Sequence, residues 1–230
     1  VAYYPFNGNS LDESGNNNHG SVSGATLATD RHGNANKAYS FDHGDYINIG
    51  KPLPAALHTF STSLWFRNMT LLAGKNHLDL IGNRELTNDG SWWLGVYNDG
   101  SVGFNAVQGV GIEVRSAPGA VQFSQPFWDK LMLTHDAYGS VAIYLNGAMI
   151  AQGSPSIHAT TATENTWIGK AGAYDEPFAG DLDEVRIYNR NLSSAEVAQL
   201  HKLESIAPAI ANDPVDADAI VGTTPVFDVN

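Results

Sequence analysis

The sequence predicts an all-β protein of two packed antiparallel sheets, closed by a short C-terminal helix. Short segments with strand-like alternation follow one another along most of the 230 residues, and turn residues, among them many of the 23 glycines, separate them. Only one segment near the C terminus changes to a helical period. With 43% hydrophobic residues the chain can fill one sizeable core, and all-β sandwiches of this length often form a single domain.

The predicted strands run in order from the N terminus. They lie in the segments AYYPF, SVSGATL, KAYSFD, DYINIG, FSTSLWFR, HLDLIG, SWWLGVYNDGSVGFNAV, GIEVR, DKLMLTHD, SVAIYLNGAMIAQG, TWIGKA and DLDEVRIY. Two of these segments contain hairpin signals, at Asn98-Asp99-Gly100 and at Asn146-Gly147. Such pairs supply the positive φ angles that tight turns need, so we expect a hairpin at each.

The helix is predicted in NLSSAEVAQLHKL. Ser193 followed three residues later by Glu196 forms the pattern of a capping box. An apolar stripe at helical spacing consists of Leu192, Val197, Leu200 and Leu203. We expect this helix to close a domain over residues 1–203.

Residues 204–230 differ in composition from the rest of the chain. They contain three prolines, five acidic residues and no basic residue. This composition predicts an acidic linker or the start of a following domain, and a tail strapped to the sandwich is the alternative.

The charge of the chain excludes some classes of partner. Its formal net charge is −12, which repels nucleic acid and anionic membranes. No run approaches the roughly 18 apolar residues of a membrane span. The chain has no cysteine, so it has neither a disulfide framework nor a thiol nucleophile.

Five ordered stretches carry a family resemblance. They are YYPFNGNSLDESGNNNHG, YSFDHGDYINIG, FSTSLWFR, WDKLMLTHDAYGSVAIYLNGAMIAQG and WIGKAGAYDEPFAGDLDEVRIYNRNLSSAEVAQL. Together they span about residues 1–203 and resemble the laminin-G-like (concanavalin A-like) jelly-roll domains of bacterial secreted proteins. The resemblance implies a jelly-roll sandwich and a secreted or cell-surface location. It leaves the function open, because this fold hosts lectins, carbohydrate-binding modules, adhesion domains and glycosidases.

Three carboxylates, Asp181, Asp183 and Glu184, lie close together in the last predicted strand. Glycoside hydrolases need two carboxyl groups facing each other, about 5–5.5 Å apart for retention or about 6.5–9.5 Å for inversion. Glucanases that resemble this fold carry them as Glu-x-Asp-x-(x)-Glu on a central strand, and no such motif occurs here. We therefore predict a domain without catalytic residues.

The resemblance also implies a structural Ca²⁺ ion between the opening strand, the Phe-Asp-Gly loop and the closing strand. Ca²⁺ takes six to eight oxygen ligands, from carboxylates and backbone carbonyls. In this sequence the loop departs from the common form, since His43 and Asp45 flank its glycine. The ligands implied by the resemblance are the backbone at Pro5 to Asn7, the loop at Asp42 and Gly44, and the side chain of Asp183. Asp12 is a further candidate, because the segment NSLDESGN is rich in oxygen ligands. The alternative is that Asp181 and Glu184 are solvated and Asp183 caps a turn.

Strand alternation suggests a carbohydrate-binding face. In SWWLGVYN, Trp92, Leu94 and Val96 form one apolar face, so Trp93 and Tyr97 point to the other side. Aromatic rings that stack on sugars and polar groups that bind hydroxyls are what a carbohydrate platform requires. The predicted platform consists of Trp93, Tyr97, Trp65, Arg67 and Asn105. The alternative is that these aromatic residues lie under loops and enlarge the core.

Taken together, these features predict a non-catalytic, calcium-stabilised, lectin-like carbohydrate-binding module, monomeric within a larger secreted or cell-surface protein. Its expected partner is a polysaccharide or other glycan, with a protein surface as a second possibility and neither nucleic acid nor membrane insertion. An adhesion module that binds protein is the alternative function. A glucanase-like hydrolase is a third, which the missing motif disfavours.

Overall fold

The computed structural model of the chain describes residues 1–52, 59–83, 91–107, 112–154, 165–172 and 176–206. The described elements, in chain order, are β1 (Ala2–Tyr4), β2 (Ser21–Ser23), β3 (Thr26–Ala28), β4 (Ala38–Phe41), β5 (Tyr46–Asn48), β6 (Phe60–Arg67), β7 (His77–Gly82), β8 (Ser91–Tyr97), β9 (Val102–Val107), β10 (Ile112–Arg115), β11 (Asp129–His135), β12 (Val141–Leu145), β13 (Ala148–Gly153), β14 (Trp167–Ile168), β15 (Gly180–Tyr188) and α1 (Ser194–Glu204).

These strands form two antiparallel sheets that pack face to face. Sheet 1 has the order β13-β12-β11-β6-β15-β4-β3, with β1 also pairing with β15. Sheet 2 has the order β10-β9-β8-β7-β14-β5-β2. Neighbours in these sheets are often far apart in sequence, as expected for a jelly roll, and the predicted fold class is confirmed.

The core lies between the two sheets and follows the predicted alternation. Leu64 and Phe66 of β6 are buried there, as are Trp92 and Leu94 of β8. The rings of Phe60 and Trp92, one from each sheet, have centroids 5.0 Å apart. Both predicted hairpins are present: β8 pairs with β9, and β12 pairs with β13.

Helix α1 packs on the outer face of sheet 1, away from this core. The capping box is confirmed, because the Ser193 side chain accepts from the backbone N–H of Glu196 and the Glu196 side chain accepts from Ser193. Leu192 and Val197 pack against Met132 and Tyr144 of the sheet.

The predicted apolar stripe is wrong at Leu203, which is 62% exposed. Glu204 is buried in its place. Residue 204 lies seven positions after Val197 and so shares its face of the helix, whereas Leu203 is about 100° away from Glu204 around the helix axis.

The helix ends one residue beyond the predicted domain boundary at residue 203. Residues 207–230, most of the predicted linker, lie outside the described part of the chain, so that interpretation stays a prediction. Over the residues described, no helix has the length and apolarity needed to cross a membrane.

Candidate functional site

The five residues of the predicted carbohydrate platform divide between the two sheets. Trp65 and Arg67 belong to β6 in sheet 1, whereas Trp93, Tyr97 and Asn105 belong to β8 and β9 in sheet 2. All five alternate with core residues and therefore lie on outer faces. Because the sheets pack against each other, those outer faces point in opposite directions, and the five residues do not form one site.

Trp93 does not offer an accessible ring, and that part of the platform prediction is wrong. It is 2% exposed, and its ring stacks on His77 with a centroid distance of 4.6 Å. Gly95 does not leave a slot beside it, because a Cβ atom there would lie 2.1 Å from the carbonyl oxygen of Leu78. Tyr97 is half-buried, with the Arg115 guanidinium 3.6 Å from the ring centroid.

Trp65 lies on the outer face of sheet 1, but α1 covers it and leaves it 4% exposed. Its indole Nε1 donates a hydrogen bond of 2.8 Å to the Glu204 carboxylate. The His201 ring stacks on it with a centroid distance of 5.6 Å. Trp65 is therefore a fixed floor rather than a free stacking surface.

A groove of about 760 Å³ opens above this floor. The loop of residues 29–33 forms one wall, residues 126–128 form another, and the C-terminal end of α1 closes the groove. Phe127 is 73% exposed, and beside it the half-buried Trp128 lies under the Arg67 guanidinium, 4.6 Å from the ring centroid. Two predicted platform residues, Trp65 and Arg67, thus line a groove with two aromatic residues that the sequence analysis did not select.

Two polar atoms of groove residues have no hydrogen-bond partner among the described residues. They are Nε1 of Trp128 and Nε2 of His32, and both are shielded from solvent. Buried polar atoms normally have a partner, and leaving one unpaired is costly. Both atoms belong to residues that line the groove.

The charged groups of the groove are already paired within the protein. Arg67 donates through Nε to Asp181 at 2.8 Å, and Arg31 donates through Nη1 to Asp183 at 2.7 Å. Asp30 accepts hydrogen bonds from its own loop; burial raises its pKa, but those bonds outweigh burial and hold the pKa below its usual value. The charges of these three residues are therefore all paired within the protein, and none of the three presents a free charge to the groove.

The predicted metal ligands are only partly brought together. Asp183, Pro5 and Asn7 line a smaller cavity of about 170 Å³, which Arg31 and Lys37 also line. Asp183 is almost fully buried: Oδ2 accepts from Arg31, and Oδ1 accepts from the backbone N–H of Glu184 at 2.8 Å. Burial raises the pKa of Asp183 to about 7, and the Arg31 guanidinium opposes that shift.

Asp42 and Gly44 lie in the turn between β4 and β5, beyond the end of β4 that pairs with Gly180. In this register Leu182 of β15 pairs with Tyr39 of β4. Asp183 therefore lies farther along β15, away from the turn that contains Asp42 and Gly44. Asp42 is exposed, and its backbone N–H donates to Asp45.

Asp12 has a different role, because its carboxylate closes the N-terminal loop. It accepts from the backbone N–H groups of Tyr3, Ser14 and Asn18 at 2.8 to 2.9 Å. Burial raises the pKa of Asp12, but these bonds outweigh it and lower the pKa overall. The six expected ligands therefore form no single centre. In the described part of the chain no group of three or more His, Asp or Glu side chains is suited to a metal, and the residues present do not fit Ca²⁺ as arranged.

The three carboxylates of β15 are not solvated, which contradicts the simpler alternative. Each lies beside an arginine: Asp181 with Arg67, Asp183 with Arg31, and Glu184 with Arg186 at 2.8 Å. The strand has a bulge between Asp183 and Arg186, and Glu184 adopts a φ of 51° there. All three carboxylates of β15 are therefore engaged in ion pairs within the protein.

Several solved structures are similar to this chain. Domain 4 of AbnA, a GH43 extracellular arabinanase from Geobacillus stearothermophilus, in complex with arabinotriose, shares 24% identity with a TM-score of 0.66. The match covers 87% of this chain and 97% of that one. The binding domain of Paraclostridial Mosquitocidal Protein 1 shares 19% identity with a TM-score of 0.71, over 88% of this chain and 51% of that one.

The Botulinum neurotoxin serotype G binding domain shares 14% identity with a TM-score of 0.64, over 88% of this chain and 50% of that one. The chain thus spans about half the length of these toxin binding domains. At such identities the likenesses show the fold alone, and no curated protein matches the chain. A family model for the concanavalin A-like lectin/glucanases superfamily, of the laminin G type, matches residues 41–198. The chain belongs to this superfamily, as its sheet order also indicates.

Proposed function

We propose that the chain is a non-catalytic carbohydrate-binding module that takes an uncharged saccharide in the groove above Trp65. The observation that carries this proposal is the exposed Phe127 beside Trp128, whose indole N–H has no partner among the described residues.

Phe127 and Trp128 supply the apolar part of the site. Because Phe127 is 73% exposed, a ligand that covers it breaks no contact within the protein. The ligand gains apolar contact with the ring. The C–H faces of a pyranose or furanose ring are flat enough to stack on such a surface. The rigid floor of Trp65 and His201 limits how deep the ligand enters.

The polar part of the site suits hydroxyl groups. Nε1 of Trp128 donates, and Nε2 of His32 donates or accepts according to its tautomer. A sugar hydroxyl can both donate and accept, so it suits either atom once the side chain turns toward the groove. This pairing of a few polar atoms with aromatic surface is common in small-molecule sites.

The charge arrangement favours an uncharged ligand. An acidic saccharide would compete with Asp181 and Asp183 for the guanidinium groups of Arg67 and Arg31. The net charge of −12 adds long-range repulsion against polyanions. We therefore expect neutral polysaccharides to bind and uronic acid polymers to bind weakly.

The comparisons support the class of function. An arabinanase domain of the same fold is known in complex with arabinotriose, and its parent enzyme is extracellular. On this basis we also propose that the chain is part of a larger secreted or cell-surface bacterial protein. The pairing of each β15 carboxylate with an arginine supports the absence of catalysis.

The test is titration calorimetry with neutral arabinan, xylan and β-glucan and with acidic polygalacturonate. We expect Phe127→Ala to weaken the binding of a neutral glycan at least tenfold. Tyr138→Ala is the matched control, because Tyr138 is 93% exposed in the turn after β11, outside the groove, and should leave the affinity unchanged. Equal affinities of wild type and Phe127→Ala, or preference for the acidic polymer, would overturn the proposal.

Recognition of a protein surface is the second candidate function. An exposed aromatic residue at the rim of a groove is also a common anchor in protein interfaces. This candidate predicts that a partner protein isolated from the native host loses affinity for Phe127→Ala while none of the glycans binds.

A further inference from the structure

Six charged side chains connect sheet 1 with the end of α1, and we call them the β15–α1 charge cluster. Arg186 contacts Glu184 at 2.8 Å and Glu204 at 2.9 Å, and Glu204 also pairs with Lys130. Arg31 pairs with Asp183 at 2.7 Å and approaches Glu184 at 3.7 Å. Three positive and three negative groups therefore balance. The members are Arg31, Lys130, Asp183, Glu184, Arg186 and Glu204.

Arg31 reaches three separate parts of the fold from one position. Its Nη1 donates to the Asp183 carboxylate of β15, and its Nε donates to the backbone carbonyl of Glu204 at 2.9 Å. Its guanidinium carbon lies 5.3 Å from the centroid of the Trp65 ring on β6. The side chain is 11% exposed. An arginine keeps its charge at any pH that a folded protein survives, so this positive charge is permanent.

We propose that Arg31 is the built-in cation of this domain, and that it takes the position between the opening and closing strands where a divalent ion was expected. Three of the expected ligands line the cavity that Arg31 also lines: Pro5, Asn7 and Asp183. Both oxygens of Asp183 already accept hydrogen bonds. Lys37 is a second positive group on the same cavity, and its Nζ donates to Asn7 at 3.1 Å.

A divalent ion at this position would meet the positive charges of Arg31 and Lys37 and would have to displace the guanidinium from Asp183. Like charges at such distances repel strongly in a buried site, and a guanidinium removed from its carboxylate loses a charge-assisted hydrogen bond. The wild-type fold should therefore be indifferent to Ca²⁺. This inference does not depend on saccharide binding in the groove.

Removal of the guanidinium should expose the position to a metal ion. Arg31→Ala leaves the Asp183 and Glu184 carboxylates without that partner, beside a cavity that Pro5 and Asn7 also line. Carboxylates with carbonyl and amide oxygens are the ligands that Ca²⁺ prefers. We expect this variant to be destabilised in EDTA and to regain stability with Ca²⁺.

The experiment compares thermal midpoints in excess EDTA and in millimolar Ca²⁺, with calorimetric titration of Ca²⁺ as a direct measure of binding. Wild type should show equal midpoints and no binding heat, whereas Arg31→Ala should show a lower midpoint in EDTA and a rise with Ca²⁺. Arg67→Ala is the matched control, because Arg67 pairs with Asp181 on the same strand; it should lose stability without responding to Ca²⁺.

If Arg31→Ala does not fold, Arg31→Lys tests the same point, since it retains the charge and should remain indifferent to Ca²⁺. A Ca²⁺-dependent rise of the wild-type midpoint that Asp183→Asn abolishes would overturn the proposal and establish the metal site instead. A folded Arg31→Ala protein whose midpoint does not respond to Ca²⁺ would also overturn the proposal. The guanidinium would then not occupy a position that can bind a cation.

Discussion

The indole Nε1 of Trp65 donates a hydrogen bond of 2.8 Å to Oε2 of Glu204, the last residue of α1. This contact joins two residues 139 positions apart in sequence and fixes the end of the helix over β6. It buries Trp65 and makes it the floor of the groove. The position of the helix thus decides what a ligand can reach on this side of the protein.

The first prediction concerns this hydrogen bond. Trp65→Phe keeps an aromatic ring but removes the donor to a buried carboxylate, and we expect the free energy of unfolding to fall by about 1.5–3 kcal/mol. Urea denaturation measures the loss. Trp128→Phe is the control, because its indole N–H makes no hydrogen bond within the described residues and its removal should cost less. If both variants lost the same free energy of unfolding, the Trp65–Glu204 hydrogen bond would not contribute the expected stability.

The second prediction concerns pH and Lys130. Burial lowers the pKa of Lys130 to about 8, with the nearby Glu204 carboxylate opposing the shift, from 10.5 in a free lysine. Between roughly pH 8 and pH 10 the unfolded chain therefore binds more protons than the folded protein, and Lys130 increases stability as pH rises. The charges that face it are Glu204 on α1 and Arg186 and Glu184 on β15.

The measurement is the difference in free energy of unfolding between wild type and Lys130→Met across this range. We expect the difference to shift in favour of wild type by at most about 1.4 kcal/mol per pH unit. Lys202→Met, on an exposed residue of α1, should give parallel curves with wild type. Parallel curves for Lys130→Met would contradict the prediction.

The third prediction distinguishes a buried Trp93 from a binding platform. Because Trp93 is buried against His77, Trp93→Ala should cost about 3–5 kcal/mol of stability, as expected for a large aromatic side chain removed from a packed site. Glycan affinity, measured on the folded fraction at low temperature, should remain unchanged. The half-buried Trp167 on the same sheet serves as control, and Trp167→Ala should cost less. Normal stability with lost binding would restore Trp93 as a ligand residue.

The fourth prediction concerns the start of α1. The Ser193 side chain caps the helix, so Ser193→Ala should lower stability by about 1 kcal/mol. Since α1 covers Trp65 and closes the groove, glycan affinity should fall in parallel. Ser194→Ala, one position inside the helix, should change neither quantity. Thermal unfolding and calorimetry of the two serine variants provide the test, and equal effects would argue against the cap.

The sequence alone determined the elements and the core. β6 and β7 match the predicted segments FSTSLWFR and HLDLIG residue for residue, and the capping box placed the start of α1. These features depend on residues that are close together in the chain. Alternation assigns the core face of a strand, and a serine three residues before a glutamate caps the start of a helix. The family resemblance added the jelly-roll order.

The tertiary structure alone decided which outward residues are accessible and which charges meet. Alternation correctly placed Trp65 and Trp93 away from the core, but it contains no information on whether α1 or a neighbouring ring covers them. Phe127 and Trp128 follow Pro126 in a segment without a period, and only that aromatic pair could have drawn attention to them. Arg31 lies 152 residues from Asp183, in a loop that Asp30 organises locally. Their ion pair exists because β3, β4 and β15 are neighbours in sheet 1, and long-range contacts of this kind follow from sheet order rather than from local pattern.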